Sequence, residues 1–289
     1  MYRKQIAVIV IIVIIMGYLY HLPVKGLTKA KEDGHTNTPR VATKPATNVT
    51  LEMVSTGAKM VIGPALSAGI NNLEGQLKNA SGPAQLDLQK KLAKQWDDVN
   101  QPAPAAFYDQ AIARRENTFA NWMAAGNHFN DAFKLTQDTT AQPAFVNNAI
   151  ACFKNALQLQ PESPDAKTGL GVAYVNQTSL GITDPDGGSP MQGIMLLLDV
   201  VKKDPNNRNA NLSLGMFAMK SGQYEKAVQR FKTILAQKEE AEPYFYLAES
   251  YKQLGMKKEA IAAYQKCKQM VPDQAVDQRI DEYIKELKQ

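Results

Sequence analysis

Histidines, cysteines, clustered carboxylates and glycine-rich turns are the residues through which a chain of this size would do chemistry. The three histidines are His21, His35 and His128, and none stands at metal-ligand spacing from another. His128 falls within a helical period and reads as a surface or half-buried packing residue. Gly169-Leu170-Gly171 superficially resembles a phosphate loop, but it lacks a third glycine and a preceding strand. Asp184-Pro185-Asp186-Gly187-Gly188 opens like a calcium loop, yet Met195 stands where the closing glutamate belongs, so this stretch reads as a turn. Cys152 and Cys267 each lie on an apolar helical stripe and read as small buried hydrophobes. These patterns imply no catalytic residue, no metal and no cofactor; an enzyme is not expected.

The elements that carry these residues follow from charge and periodicity. The chain has 289 residues, 44% apolar and 21% charged, with a net charge of +5. That composition suits a globular body with a real core. Residues 1–50 hold seven basic side chains (Arg3, Lys4, Lys25, Lys29, Lys31, Arg40, Lys44) and two acidic ones, Glu32 and Asp33. The remaining 26 basic and 26 acidic groups balance over residues 51–289. A neutral body lacks the clustered positive field that phosphate binding needs, so no nucleic-acid partner is expected.

After a short basic tail (residues 1–5) comes an apolar run over residues 6–22, broken only by His21. As a helix it would be about 26 Å long, enough to cross a bilayer core. Tyr18 and Tyr20 sit where amphipathic rings favour the headgroup layer. A cleaved signal peptide would need a small-x-small site, and Val24-Lys25-Gly26 is a poor one; an uncleaved single-pass anchor in the cell membrane is expected. Counting Lys and Arg on either side argues for a body inside the cell, whereas a basic tail before an apolar run argues for export. The expectation is a body outside the cytoplasm, in the periplasm. Residues 23–50, rich in Thr, Pro, Lys and Asn, read as a flexible tether.

The body is repetitive. In the segment starting at Ala241, Tyr244, Leu247, Ala248 and Tyr251 share one helical face, Gly255 ends that helix, and Ala260, Tyr264 and Cys267 line a second one before Pro272. Leu214-Gly215, Ser221-Gly222, Ala227 and Phe231 repeat the pattern one unit earlier. Ala149, Phe153, Ala156 and Pro161 reproduce the second-helix spacing, followed by Leu170, Gly171 and Tyr174 and a further second helix over residues 191–203. Trp122, Ala125, Gly126 and Phe129 open an earlier unit. Residues 136–143 and 178–190 are surplus to the period and read as loops. This pattern resembles the tetratricopeptide repeat, a helix–turn–helix of 34 residues. The resemblance implies an all-α fold: a superhelix of helical hairpins, or α-solenoid, behind the transmembrane helix. Its units run over residues 83–118 (degenerate), 119–163, 164–207, 208–240 and 241–274. An amphipathic helix over residues 275–289, with Val276, Ile280, Tyr283, Ile284 and Leu287, covers the open end. Residues 51–82 form a leading segment or N-terminal cap: Met53, Met60, Val61, Leu66, Ile70, Leu73 and Leu77 suggest an amphipathic helix from about Leu66, broken upstream at Gly63-Pro64. Cys152 and Cys267 then stand about three repeats apart, too far for a disulfide.

The resemblance also implies a concave binding face made by first helices. Its candidate residues are Met123, Asn127 and Asn130; Thr168, Val172 and Asn176; Leu212, Met216 and Met219; and Phe245, Glu249 and Lys252. Repeats that grip a chaperone tail hold its carboxylate with a Lys and an Asn one turn apart; Met123 precedes Asn127 here, so that ligand is not implied. An anchor, a tether and a repeat body resemble bacterial inner-membrane assembly factors. The implied role is a scaffold or chaperone accessory that binds a protein or peptide, touching lipid through residues 6–22. Self-assembly of the same groove, giving a homo-oligomer, is the alternative.

Overall fold

The computed structural model describes residues 49–182 and 190–289. The expected tail, span and tether as far as residue 48, with His21 and His35, and the turn over residues 184–188 lie outside them. All twelve described elements are helices: α1 Leu51–Leu77, α2 Gly82–Asp98, α3 Pro102–Glu116, α4 Phe119–Leu135, α5 Gln142–Leu159, α6 Pro164–Ser179, α7 Pro190–Lys203, α8 Arg208–Lys220, α9 Tyr224–Leu235, α10 Ala241–Gln253, α11 Lys257–Met270 and α12 Gln274–Lys288. Among the described residues no strand occurs, and no helix is long and apolar enough to cross a membrane. The chain divides into two compact units, with the boundary between Ser213 and Leu214 inside α8.

Helix starts follow local chemistry. Thr50, Thr118, Ser163 and Asp273 each accept a backbone N–H of the first turn, at the heads of α1, α4, α6 and α12. Proline stands in the first turn of α2, α3, α5 and α6, where its missing donor costs nothing. The insertion read at residues 136–143 is shorter as a loop, because α5 begins at Gln142 and buries Phe145 and Val146 in its added first turn.

In the first unit, the second-helix stripe Ala149, Phe153 and Ala156 is fully buried. The Phe153 ring fills a notch between two first helices: a Cβ on Gly126 of α4 or Gly169 of α6 would lie within 3 Å of it. In the next hairpin, Gly193 stands where Ala149 stands in the previous one. A Cβ on Gly193 would lie 2.5 Å from the Gly171 carbonyl oxygen, so α6 and α7 cross backbone to backbone. The second unit repeats the first arrangement. Phe231 of α9 lies against Gly215 of α8, and Ala260, Tyr264 and Cys267 of α11 are buried. Gly222 and Gly255 take φ of 72° and 71° at the two interhelix turns, a region glycine enters without a Cβ penalty.

The leading segment differs from its sequence reading. Helix begins at Leu51, and Gly63 (φ 77°, ψ 173°) bends it into two arms. The arms are held by Glu74, which accepts the Ser55 hydroxyl at 2.7 Å and pairs with Lys59. Ile70 is buried with Leu92, Trp96 and Tyr108. Met53, Met60, Val61 and Leu66, expected on the apolar face, are exposed. The bend turns them away from the cluster that α2 and α3 provide.

Candidate partner-binding faces

In the first unit, α4 and α6 supply the candidate residues. Met123 is half-buried against the core that also receives Val49 and Val54 from the leading segment. Asn127 is exposed and Val172 half-buried. Asn130, Thr168 and Asn176 are buried, which removes them from an accessible face. The reason is visible at Asn130, whose Nδ2 donates to the Gly169 carbonyl at 3.3 Å. This side of α4 is therefore the seam with α6. Among the described residues, Asn130 Oδ1, Thr168 Oγ1 and Asn176 Nδ2 have no hydrogen-bond partner and are sealed from the surface. Leu212, at the first unit's end of α8, is half-buried.

In the second unit, Met216 and Met219 of α8 are half-buried and reachable. The other three candidates are engaged with the last two helices, Glu249 with α11 and Phe245 and Lys252 with α12. Phe245 is buried, with its ring centroid 5.8 Å from Tyr264 and 6.2 Å from Tyr283 of α12. Glu249 accepts the Tyr264 hydroxyl. Burial of that phenol, and then the Glu249 charge, hold Tyr264 far above its usual range. Lys252 stands 5.2 Å over the Tyr283 ring and 3.4 Å from Glu286. Val276, Ile280, Ile284 and Leu287 of α12 are buried as the amphipathic period requires. That Tyr283 and Glu286 would land on Phe245 and Lys252 has no local signal.

Sequence reasoning missed the partners of His128. Its Nδ1 lies 2.6 Å from Asp109 of α3 and its Nε2 3.4 Å from Asp97 of α2. One imidazole thus ties three helices. Burial opposes protonation of the ring, but the Asp109 hydrogen bond and the charges of Asp109, Asp97 and Asp131 outweigh it, and the pKa is raised. The thiols of Cys152 and Cys267 are buried and free, and desolvation pushes them up to about 11 and about 12. That leaves them protonated and unreactive. Among the described residues no three His, Cys, Asp or Glu side chains converge as metal ligands.

These faces can be compared with known proteins. Residues 244–273 match the family model described as a tetratricopeptide repeat. No curated protein matches the chain in sequence. Among solved structures, a thermophilic tetratricopeptide repeat protein of Thermus thermophilus is 19% identical, with a TM-score of 0.54, over 68% of this chain and 97% of its own. A protein titled YrrB, with "an unusual peptide-binding site", is 16% identical, with a TM-score of 0.41, over 75% of this chain and 99% of its own. The MamA protein is 16% identical, with a TM-score of 0.42, over 63% of this chain and 89% of its own. Residues 244–273 are thus similar to a tetratricopeptide repeat, and the likeness to the Thermus thermophilus structure shows that this chain shares the helical-hairpin fold of such proteins.

Proposed function

We propose that the chain is a membrane-tethered, non-catalytic scaffold or assembly factor. In this reading residues 6–22 anchor it in the cell membrane, residues 23–50 tether it, and the repeat body lies outside the cytoplasm, where it binds a protein or peptide partner. The observation that carries the binding reading is a pair of half-exposed methionines on one first helix, α8. Leu214 and Ala218 of α8 are sealed, as are Ala227, Phe231 and Ile234 of α9, while Met216 and Met219 of α8 stay half-exposed. Methionine is unbranched and polarisable, so such a pair adapts to different apolar side chains of a partner. In the first unit Met123, Asn127 and Val172 offer a smaller mixed face.

A photo-crosslinking residue at Met216, in the full chain in its native membranes, tests this. Adducts with another protein are expected from position 216 and not from Gln229, an exposed position on α9. Adducts of the chain with itself would shift the reading to self-assembly. Equal labelling from both positions, or none from either, would defeat it. Resistance to alkaline extraction and protease access to the body in sealed vesicles test the anchor and its orientation.

A further inference from the structure

The bend in α1 carries the two most exposed large apolar side chains of the described residues, Met60 at 77% and Val61 at 75%, with Leu66 at 57% just across it. From Met60 to Leu73 no residue is charged. The nearest charges along the chain, Lys59 and Glu74, pair with each other. The first unit therefore carries here a protruding, uncharged, apolar corner. Its backbone is fixed by the left-handed Gly63 and by the Ser67 hydroxyl, which donates to the Pro64 carbonyl.

Three observations bear on what covers it. It projects as a corner between two helical arms, which is a poor seat for a partner helix or strand. Insertion of residues 60–73 into a lipid interface would strip water from no ionised side chain of that stretch, the cost that usually forbids it, and the adjoining Lys59 is already paired with Glu74. And α1 is the first described element after the apolar run: 28 residues separate Leu22 from Leu51, a reach of up to about 95 Å if extended. Resting on the anchored arrangement proposed above, we infer that the bend of α1 is a lipid-facing tip, with Met60, Val61 and Leu66 entering the interfacial layer of the bilayer that holds residues 6–22. The anchor then restrains the chain at one point and the tip at a second, which would set how the first unit is presented to the membrane.

The test uses the full chain with Val61→Trp, reconstituted in phosphatidylcholine vesicles brominated high on the acyl chains. A second chain carries Met191→Trp, at another exposed apolar position, on α7. Native Trp96 and Trp122 are buried and give a constant background. The tip reading expects the added emission at position 61 to fall roughly two-fold or more against unbrominated lipid, and that at position 191 to stay unchanged. Adding Met60→Asp should abolish the quenching while the chain still floats with the vesicles. Flotation without quenching at position 61 overturns the tip and leaves the anchor standing. Failure to float without quenching overturns both. Quenching at both positions, or a concentration-dependent blue shift at position 61 without lipid quenching, overturns the tip in favour of non-specific adsorption or a protein contact.

Discussion

Gly193→Ala is the sharpest test of the packing. The added Cβ would lie 2.5 Å from the Gly171 carbonyl oxygen, 3.0 Å from Val175 Cγ2 and 3.2 Å from Tyr174 Cβ. The nearest obstacle is backbone, so no rotamer change relieves it and the crossing of α6 and α7 must widen. Restoring an ordinary carbon–oxygen contact needs roughly 0.7 Å, a gap that forfeits a quarter or more of each dispersion well at the crossing. Leu197, fully buried there, makes about 50 such contacts at about 0.15 kcal/mol, so its share alone is about 2 kcal/mol. Helix propensity returns about 1 kcal/mol when Gly becomes Ala. With neighbouring losses included, the net destabilisation is about 1–3 kcal/mol, the usual range for overpacking. Gly57→Ala is the opposite case, since nothing lies within 4 Å of its added Cβ inside a helical arm; it should stabilise by about 0.5–1 kcal/mol. Urea unfolding followed by tryptophan fluorescence reports the right unit, because Trp96 and Trp122 both belong to it. The Gly171→Ala/Gly193→Ala pair should cost less than the sum of its singles, since one widening accommodates both methyls. Equal, stabilising effects at positions 57 and 193 would refute the backbone contact.

Other expectations follow from single sites. The raised pKa of His128 means that its stabilisation is fully present below the unfolded imidazole value of about 6.5 and is lost as pH rises through the folded value. The margin of the wild type over His128→Gln in urea melts should therefore be larger at pH 5.5 than at pH 8.5, and a pH-independent margin would contradict the three-helix tie. Neither thiol should react quickly with a disulfide reagent at pH 8 in the native chain, and both should in denaturant, because Cys152 and Cys267 are buried with raised pKa values; one fast native thiol would show that its stripe is open. Ile280→Ala removes a buried side chain of α12 and should cost about 2–4 kcal/mol, with Tyr264 and Tyr283 fluorescence lost early in thermal melts; a neutral result would mean that α12 does not cover the end of the second unit.

The parts of the fold legible in the sequence are those in which a local period repeats. Ala149, Phe153 and Ala156 share their spacing with Ala260, Tyr264 and Cys267, and all six are buried, because one turn-and-stripe geometry makes the same demand twice. Gly193 breaks the alanine pattern with no local signal of the reason, which is a carbonyl on another helix. The candidate binding face was less legible. Asn130, Thr168 and Asn176 are polar types on the expected face, yet all three are buried, Asn130 in the seam between α4 and α6. The partners of His128 are hidden from a local reading because Asp97 and Asp109 lie 31 and 19 residues away on other helices. The α1 bend is legible as a break, but exposure of Met60 and Val61 depends on which way the arms fold.

Engagement of Phe245, Glu249 and Lys252 by α11 and α12 has a consequence for recognition. It commits the charged candidates of the second unit to contacts within the chain, since Glu249 accepts the Tyr264 hydroxyl and Lys252 lies against Tyr283 and Glu286. The candidates left there, Met216 and Met219, are uncharged. The 26 basic and 26 acidic groups of residues 51–289 also give no net field to steer a partner from a distance. Association through this face should then depend on apolar burial and shape, with affinity changing little with salt. A steep fall in partner affinity with added salt would place the contact elsewhere, most directly on the basic segment of residues 1–50.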